Sequence, residues 1–251
     1  MNPSCMALLI GSALILPWIG AAGLAQTPAA PAPLPPRSTV PQAPVYKPPL
    51  LGAPATRVGG ASRGDADRDV VLSVLAPEST GLTSRAQPTL YWYLAKRLAG
   101  PLEFTLNDDH SIKPLVEMPV NATQPGIQVL RLSYSLKPEV EYQWAIAAVT
   151  DPGQRASDLI ASGTIRRVDL PATLAVQINR ASPSERLFLY AEQGFWYDAL
   201  AALSEQIEAH PADSRWREYR AALLEQVGLH AIARQDRAFS VLSPEPDHAN
   251  H

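Results

Sequence analysis

The chain has 251 residues, a formal net charge of −3 and 18% charged side chains. Its charges are mixed in sign and form no basic stripe that would follow a phosphate backbone, so the composition argues against nucleic acid as a partner. The sequence contains one cysteine, Cys5, which excludes a disulfide framework within the chain.

Residues 1–25 have the composition of a secretory signal peptide. Residues 7–18 form an apolar run, and Gly23 and Ala25 place small residues at the two positions that signal peptidase reads. We therefore predict cleavage before Gln26, export to the periplasm or beyond, and no stable membrane span afterwards. Retention as a membrane anchor is the alternative, although spanning needs about 20 strongly apolar residues.

Residues 26–64 are rich in proline, alanine and glycine and are predicted to be a linker. Residues 27–36 have the composition of a polyproline II spacer, which extends by about 3 Å per residue. Residues 58–64 contain three glycines beside Arg57 and Arg63, a composition also found in phosphate-binding loops. The required Lys-Ser/Thr pair and the preceding strand are missing from the pattern, so we predict a flexible lead-in.

Residues 65–170 show the short alternating strands of an immunoglobulin-like or fibronectin-like antiparallel β-sandwich. Leu90, Trp92 and Leu94 share one face of a strand, and Trp92 and Trp144 are the predicted centre of the core. Residues 80–83 are predicted to lie in a turn-rich loop. The predicted strands are 70–75, 88–94, 102–106, an edge strand at 114–118, 127–132, a strand ending at Val149, and 160–168.

The most specific β-sandwich signal is a tyrosine corner before the strand that ends at Val149. Leu136 and Pro138 turn the chain, and Tyr142 follows the proline by four residues. In such a corner the tyrosine hydroxyl bonds to the backbone of the turn. Tyr142, Trp144 and Ile146 then alternate on one face of the following strand.

In residues 171–242 the spacing of apolar residues changes to that of a helix, and a tetratricopeptide-like segment is predicted. The whole chain is therefore predicted to be α+β, mainly β and then α. The predicted helices are 184–193, 196–209, 214–227 and 229–242, and residues 243–251 are predicted to be a disordered tail. Gly194 and Gly228 are 34 residues apart, as are Ala199 and Ala233. This spacing is the tetratricopeptide period. Because about three units are needed to bury a repeat core, these helices must cover the sandwich or a partner protein.

No catalytic constellation is found in the sequence. The histidines lack metal-ligand spacing, and the arginines Arg215, Arg217 and Arg220 are predicted to form a solvated helix face. We therefore predict a protein that is not an enzyme and has no cofactor or metal. Phe195, Trp196 and Tyr197 are consecutive, so we expect at least one ring either to lie near the surface as a partner site or to pack against the sandwich.

Several motifs occur in an order that resembles a bacterial family of unknown function, domain-of-unknown-function family 928. They are Tyr46-Lys47-Pro48-Pro49, Arg57-Val58-Gly59-Gly60, Leu75-Ala76-Pro77 with Thr80-Gly81-Leu82-Thr83, Pro88-Thr89-Leu90-Tyr91-Trp92-Tyr93, and Trp196-Tyr197-Asp198-Ala199-Leu200. The resemblance implies export to a Gram-negative envelope and assigns no activity, so it implies no catalytic residues.

The expected function is protein binding, as an accessory or adaptor in the cell envelope, with an unidentified envelope or secreted protein as partner. The alternative is a carbohydrate or small-ligand module that uses loops of the sandwich and exposed aromatic rings such as Tyr91 and Tyr93. Candidate partner-binding residues are therefore Phe195, Trp196, Tyr197, Tyr91 and Tyr93.

Overall fold

The computed structural model describes residues 42–49, 58–59, 70–98, 100–122, 124–151 and 153–241. The predicted signal peptide, most of the predicted linker and the predicted tail lie outside these residues. Contacts divide the chain at Val40, and the unit Pro41–His251 contains all the described strands and helices. Within the described ranges, no helix has the length and apolar character needed to cross a membrane. The predicted domain boundaries at residues 65, 170 and 242 stay predictions.

Strands and helices are both present, strands first, so the predicted mixed α+β class is confirmed. In the described residues the strands are β1 (Val58–Gly59), β2 (Leu72–Val74), β3 (Gly81–Thr83), β4 (Thr89–Leu94), β5 (Leu102–Asp108), β6 (Val116–Val120), β7 (Gly126–Arg131), β8 (Glu141–Ala148) and β9 (Leu159–Arg167). One sheet has the order β1-β2-β4-β7 and the other β3-β9-β8-β5-β6. Their pairings are antiparallel except for β3, which runs parallel to β9.

The two sheets face each other across a common apolar core. On β4, alternation turns Leu90, Trp92 and Leu94 inward, where each is at most 1% exposed. Trp144 on β8 is fully buried in the same core, so the prediction that Trp92 and Trp144 lie in the core is confirmed. The opposite face of β4 carries Tyr91 and Tyr93, and helices cover that face.

The tyrosine corner forms as predicted. The backbone N–H of Lys137 donates to the Tyr142 hydroxyl at 3.1 Å, with the hydroxyl as acceptor. Glu139, inside the turn, has a φ of 62°, in the left-handed region. Burial raises the pKa of Tyr142. The corner therefore fixes the chain between β7 and β8 by a side-chain contact as well as by the sheet ladder.

Five helices follow the strands in the described residues: α1 (Ala172–Arg180), α2 (Pro183–Glu192), α3 (Trp196–Ala209), α4 (Ser214–Gln226) and α5 (His230–Val241). A capping box starts α2, in which the Ser182 and Glu185 side chains exchange bonds with each other's backbone N–H. α2 packs against α3 and α4 against α5, and the helices that contact the sheets most are α3 and α5.

Equivalent turns join the two helix pairs. Gly194 and Gly228 have φ of +80° and +78°. The next residue in each turn donates its N–H to a carbonyl five residues earlier, Phe195 to Tyr190 and Leu229 to Leu224, both at 2.9 Å. This is the 6→1 bond of a Schellman motif, which needs a residue in the left-handed region at the glycine position. The two glycines thus close the same structure at the interval seen in the sequence.

Four segments of the described chain differ in secondary structure or packing from the sequence predictions. Residues 81–83, predicted as part of a loop, form β3, and Val58–Gly59, predicted as a flexible lead-in, forms β1. Both strands are too short for a period-two pattern. α1 was not predicted; its start has no side-chain cap, and it buries Leu174 and Ile178. Residues 42–49 lie within the predicted linker and pack against the helices, as described below.

Candidate functional site

All five candidate aromatic residues are buried. The exposed fractions are 3% for Phe195, 0% for Trp196, 1% for Tyr197, 4% for Tyr91 and 7% for Tyr93. Of the two alternatives for the consecutive rings, the structure shows packing. The prediction that Tyr91 and Tyr93 are exposed is wrong. The physical reason is that α3 lies between the sheets and the other helices, so it is buried on almost every side.

The first turn of α3 is bonded into the sandwich core. The Trp196 indole N–H donates to the Leu75 carbonyl at 2.9 Å. The Tyr197 hydroxyl donates to the Thr164 carbonyl at 3.0 Å and accepts from the Trp144 indole N–H at 2.9 Å. Burial raises the pKa of Tyr197 strongly, so the hydroxyl keeps its proton. Each polar atom that these rings bring into the core thus has a partner, and the helices are fixed to the sheets.

Asp198, also in the first turn of α3, binds the end of β3. Its carboxylate accepts from the Ser84 backbone N–H at 2.8 Å and from the Ser84 hydroxyl at 2.9 Å. The Arg85 guanidinium lies 3.4 Å away and is partly exposed. Burial is the largest influence on this carboxyl and raises its pKa above the ordinary value of 3.8. A buried carboxylate with these partners acts here as a structural acceptor.

Residues 42–49, here called the N-terminal strap, have no regular secondary structure and lie against the helices. The Tyr46 ring packs edge-on against Trp196, with ring centroids 4.9 Å apart. The Tyr46 N–H donates to the Gln226 side chain at 2.8 Å, and Gln226 donates back to the Pro44 carbonyl at 2.9 Å. The Lys47 N–H donates to the Ala191 carbonyl at 3.1 Å. The helices therefore already bind one proline-containing segment of the chain.

A cavity of about 240 Å³ lies between the outer face of the first sheet and α3, α4 and α5. Its walls combine aromatic, aliphatic and charged side chains. They include Tyr91, Tyr93, Ile127, Val129, Ser204, Ile207, Glu208, Arg217, Arg220, Ile232, Gln235, Asp236 and Phe239. Tyr91 and Tyr93 thus line a covered cavity, and burial raises the pKa of both hydroxyls.

A buried ion pair closes the inner end of this cavity. Arg220 donates to both Asp236 oxygens, from Nε at 2.7 Å and from Nη2 at 2.6 Å, and its Nη1 lies 3.3 Å from the Ser204 hydroxyl. The prediction of a solvated arginine face is wrong for Arg220, which is 7% exposed. The sequence signal that was missed is its position next to Ala221 and Leu224 on the buried side of α4.

A row of aromatic rings follows α2 and α4 on their less buried side. The row consists of His210, Trp216, Tyr219 and Phe188, with successive ring centroids 6.4, 5.8 and 5.8 Å apart. Phe188 and Trp216 are half-buried. A shallow apolar groove beside Phe188 continues over Leu189 and Ala181. This aromatic row was not singled out in the sequence; the signal was Trp216 and Tyr219 at helical spacing.

Asp108 lies in an exposed turn, where it bonds to the Ser111 side chain and accepts from the backbone N–H groups of Ser111 and His110. These bonds hold the pKa of its carboxyl below the ordinary value. No group of three or more potential metal ligands occurs among the described residues.

Comparison with known proteins gives a family. A family model described as "Domain of Unknown Function (DUF928)" matches residues 58–237. No curated protein matches the chain. Among solved structures, one similarity is to Astrotactin-2, described as a conserved vertebrate-specific and perforin-like membrane protein involved in neuronal development. The identity is 11% and the TM-score 0.29, over 77% of this chain and 42% of that one. The chain therefore spans less than half of that protein.

Proposed function

The chain belongs to the DUF928 family, and we propose that it is a non-enzymatic, exported accessory protein of the bacterial cell envelope that binds another protein. We propose further that its sheets form an immunoglobulin-like sandwich and its helices a tetratricopeptide-like segment. The tyrosine corner at Tyr142 supports the first interpretation. The matching turns at Gly194 and Gly228 support the second.

The observation that carries the binding proposal is the aromatic row on α2 and α4. α3 and α5 make the main contacts with the sheets, whereas Phe188 and Trp216 keep part of their rings accessible. Aromatic side chains are enriched at protein interfaces because they bury a large area with few rotatable bonds. The partly exposed members of the aromatic row, His210, Trp216 and Phe188, are therefore suited to contact a protein partner.

The N-terminal strap supports a specific kind of partner segment. The helices bind it through the Ala191 carbonyl and the Gln226 side chain, and they hold the Tyr46 ring against Trp196. An extended segment binds such a surface at low conformational cost when prolines restrict it beforehand. The partner segment on the aromatic row is proposed to be extended and to insert an apolar side chain beside Phe188.

Position-specific photocrosslinking tests this proposal. The full chain carries benzoylphenylalanine in place of Phe188 or Trp216, and in a control in place of Ile112, a fully exposed residue at the far end of the second sheet. We expect one discrete cross-linked protein from positions 188 and 216 and none from 112. Equal products at the three positions, or no product at 188 and 216, would contradict a binding surface on α2 and α4.

The alternative function, small-ligand binding, needs a different site from the exposed rings that the sequence suggested. Tyr91 and Tyr93 are too buried to act as an open stacking platform for a sugar. They do line the cavity between the first sheet and the helices. The geometry therefore supports small-ligand binding inside this cavity.

A further inference from the structure

We propose that the cavity between the first sheet and α3, α4 and α5 binds a small monocarboxylate with an apolar body, and that Arg217 pairs with its carboxylate. This inference deepens the small-ligand alternative. It is separate from the protein-binding proposal, because the aromatic row and the cavity share no residue.

The charges in the cavity favour an anion. Arg217 and Arg220 both approach the single buried carboxylate of Asp236, so two guanidinium groups share one negative charge. Glu208 also lines the cavity, but it is exposed, where water screens its charge. With the exposed Glu208 left out, the described lining carries one more positive than negative charge, and a bound carboxylate would neutralise it.

Of the two guanidinium groups that line the cavity, that of Arg217 makes no hydrogen bond to the described residues. Arg220 already makes a two-bond fork with Asp236 and reaches Ser204. Arg217 Nη1, by contrast, lies 3.8 Å from Asp236 Oδ1, beyond hydrogen-bond distance, and its side chain is 21% exposed. A guanidinium has five N–H donors arranged to meet both oxygens of a carboxylate. The Arg217 donors are therefore available to a ligand at the wall of the cavity.

The remaining walls select an apolar body of limited size. Ile207, Ile232, Val129 and the rings of Tyr91 and Phe239 surround the space. Its volume, about 240 Å³, is below the roughly 300–1,000 Å³ of pockets for drug-sized ligands. Phe239 is 45% exposed and lies near Gly126, which places a partly exposed ring at the edge of the cavity. A small organic acid fits these walls, and a polymer does not.

Paired probes of equal shape test the inference on the full chain. Benzoate and benzamide differ mainly in charge, and their binding is measured by isothermal titration calorimetry. We expect saturable benzoate binding, with benzamide at least about tenfold weaker because it lacks the charge that Arg217 pairs with. Equal affinities of the two probes, or no benzoate binding up to about 10 mM, would overturn the inference without any variant being made.

Variants then test whether Arg217 pairs with the ligand carboxylate. Arg217→Gln should lower the benzoate affinity about tenfold, to the level of benzamide, whereas Arg217→Lys should keep part of it. Arg131→Gln, which removes an exposed arginine of β7, is the matched control and should bind benzoate like the unchanged chain. If Arg217→Gln keeps the same unfolding midpoint and the full benzoate affinity, Arg217 is not the pairing residue and the inference fails.

Discussion

Replacing Tyr197 by phenylalanine isolates the polar contacts that join α3 to the sandwich. The ring stays, and the change removes a hydroxyl that donates to the Thr164 carbonyl and accepts from the Trp144 indole. Tyr197 is 1% exposed, so water cannot replace the lost bonds. A buried polar group without a partner costs about 1–3 kcal/mol, so two such groups should lower the free energy of unfolding by about 2–6 kcal/mol.

Tyr46→Phe is the matched control for this experiment. The Tyr46 ring is also buried, at 6% exposure, but its hydroxyl has no hydrogen-bond partner among the described residues. Removing that hydroxyl should leave the free energy of unfolding unchanged or raise it, because burying an unpaired hydroxyl is unfavourable. Urea unfolding followed by tryptophan fluorescence measures both variants. A loss below about 0.5 kcal/mol for Tyr197→Phe, or equal losses for both, would refute the assignment of the Tyr197 hydroxyl.

Three further predictions concern stability and use the same unfolding measurement. Burial raises the pKa of Asp198, so the folded state binds the carboxyl proton more tightly than the unfolded state does. The protonated carboxyl therefore contributes stability at low pH, and this contribution is lost as the pH rises above 3.8 and through the raised pKa. Asp198→Asn should therefore become more stable relative to the unchanged chain as pH rises, and the opposite trend would refute the raised pKa. Gly194→Ala should cost more than Gly228→Ala: both residues have positive φ, worth about 1–2 kcal/mol, but a Cβ on Gly194 would also lie 2.9 Å from the Lys47 carbonyl. Equal costs would mean that the N-terminal strap is not packed there. Arg220→Met should cost about 3–5 kcal/mol because it removes the two-bond partner of a buried carboxylate, and adding Asp236→Leu should recover most of the loss; no recovery would contradict the assignment of the loss to the unpaired Asp236.

The sequence predicted the elements whose signals are local. The period-two strands, the tyrosine corner at Tyr142 and the glycine turns at 194 and 228 each follow from a few neighbouring residues. β3 gave no such signal. It has three residues, its ladder is parallel to the distant β9, and Gly81 is required there because a Cβ would lie 2.7 Å from the Tyr197 ring.

The candidate sites depend on burial by parts of the chain that are distant in sequence, and composition does not show this burial. Alternation on β4 correctly separated Tyr91 and Tyr93 from the core face, but the helices that bury them come more than 100 residues later. The N-terminal strap has the composition of a spacer, and its bond from Tyr46 to Gln226 spans 180 residues. Arg220 looked solvated beside Glu218 because its partner, Asp236, lies on the next helix.

The most direct test of the binding proposal is the affinity of the protein cross-linked at positions 188 and 216. The purified partner is titrated against the unchanged full chain, against Trp216→Ala and against Ile112→Ala. Removing a central aromatic side chain from an interface commonly costs 2 kcal/mol or more, so we predict that Trp216→Ala weakens binding at least about tenfold. Ile112→Ala should bind like the unchanged chain. Unchanged affinity for a folded Trp216→Ala variant would contradict the proposal that the aromatic row binds the partner.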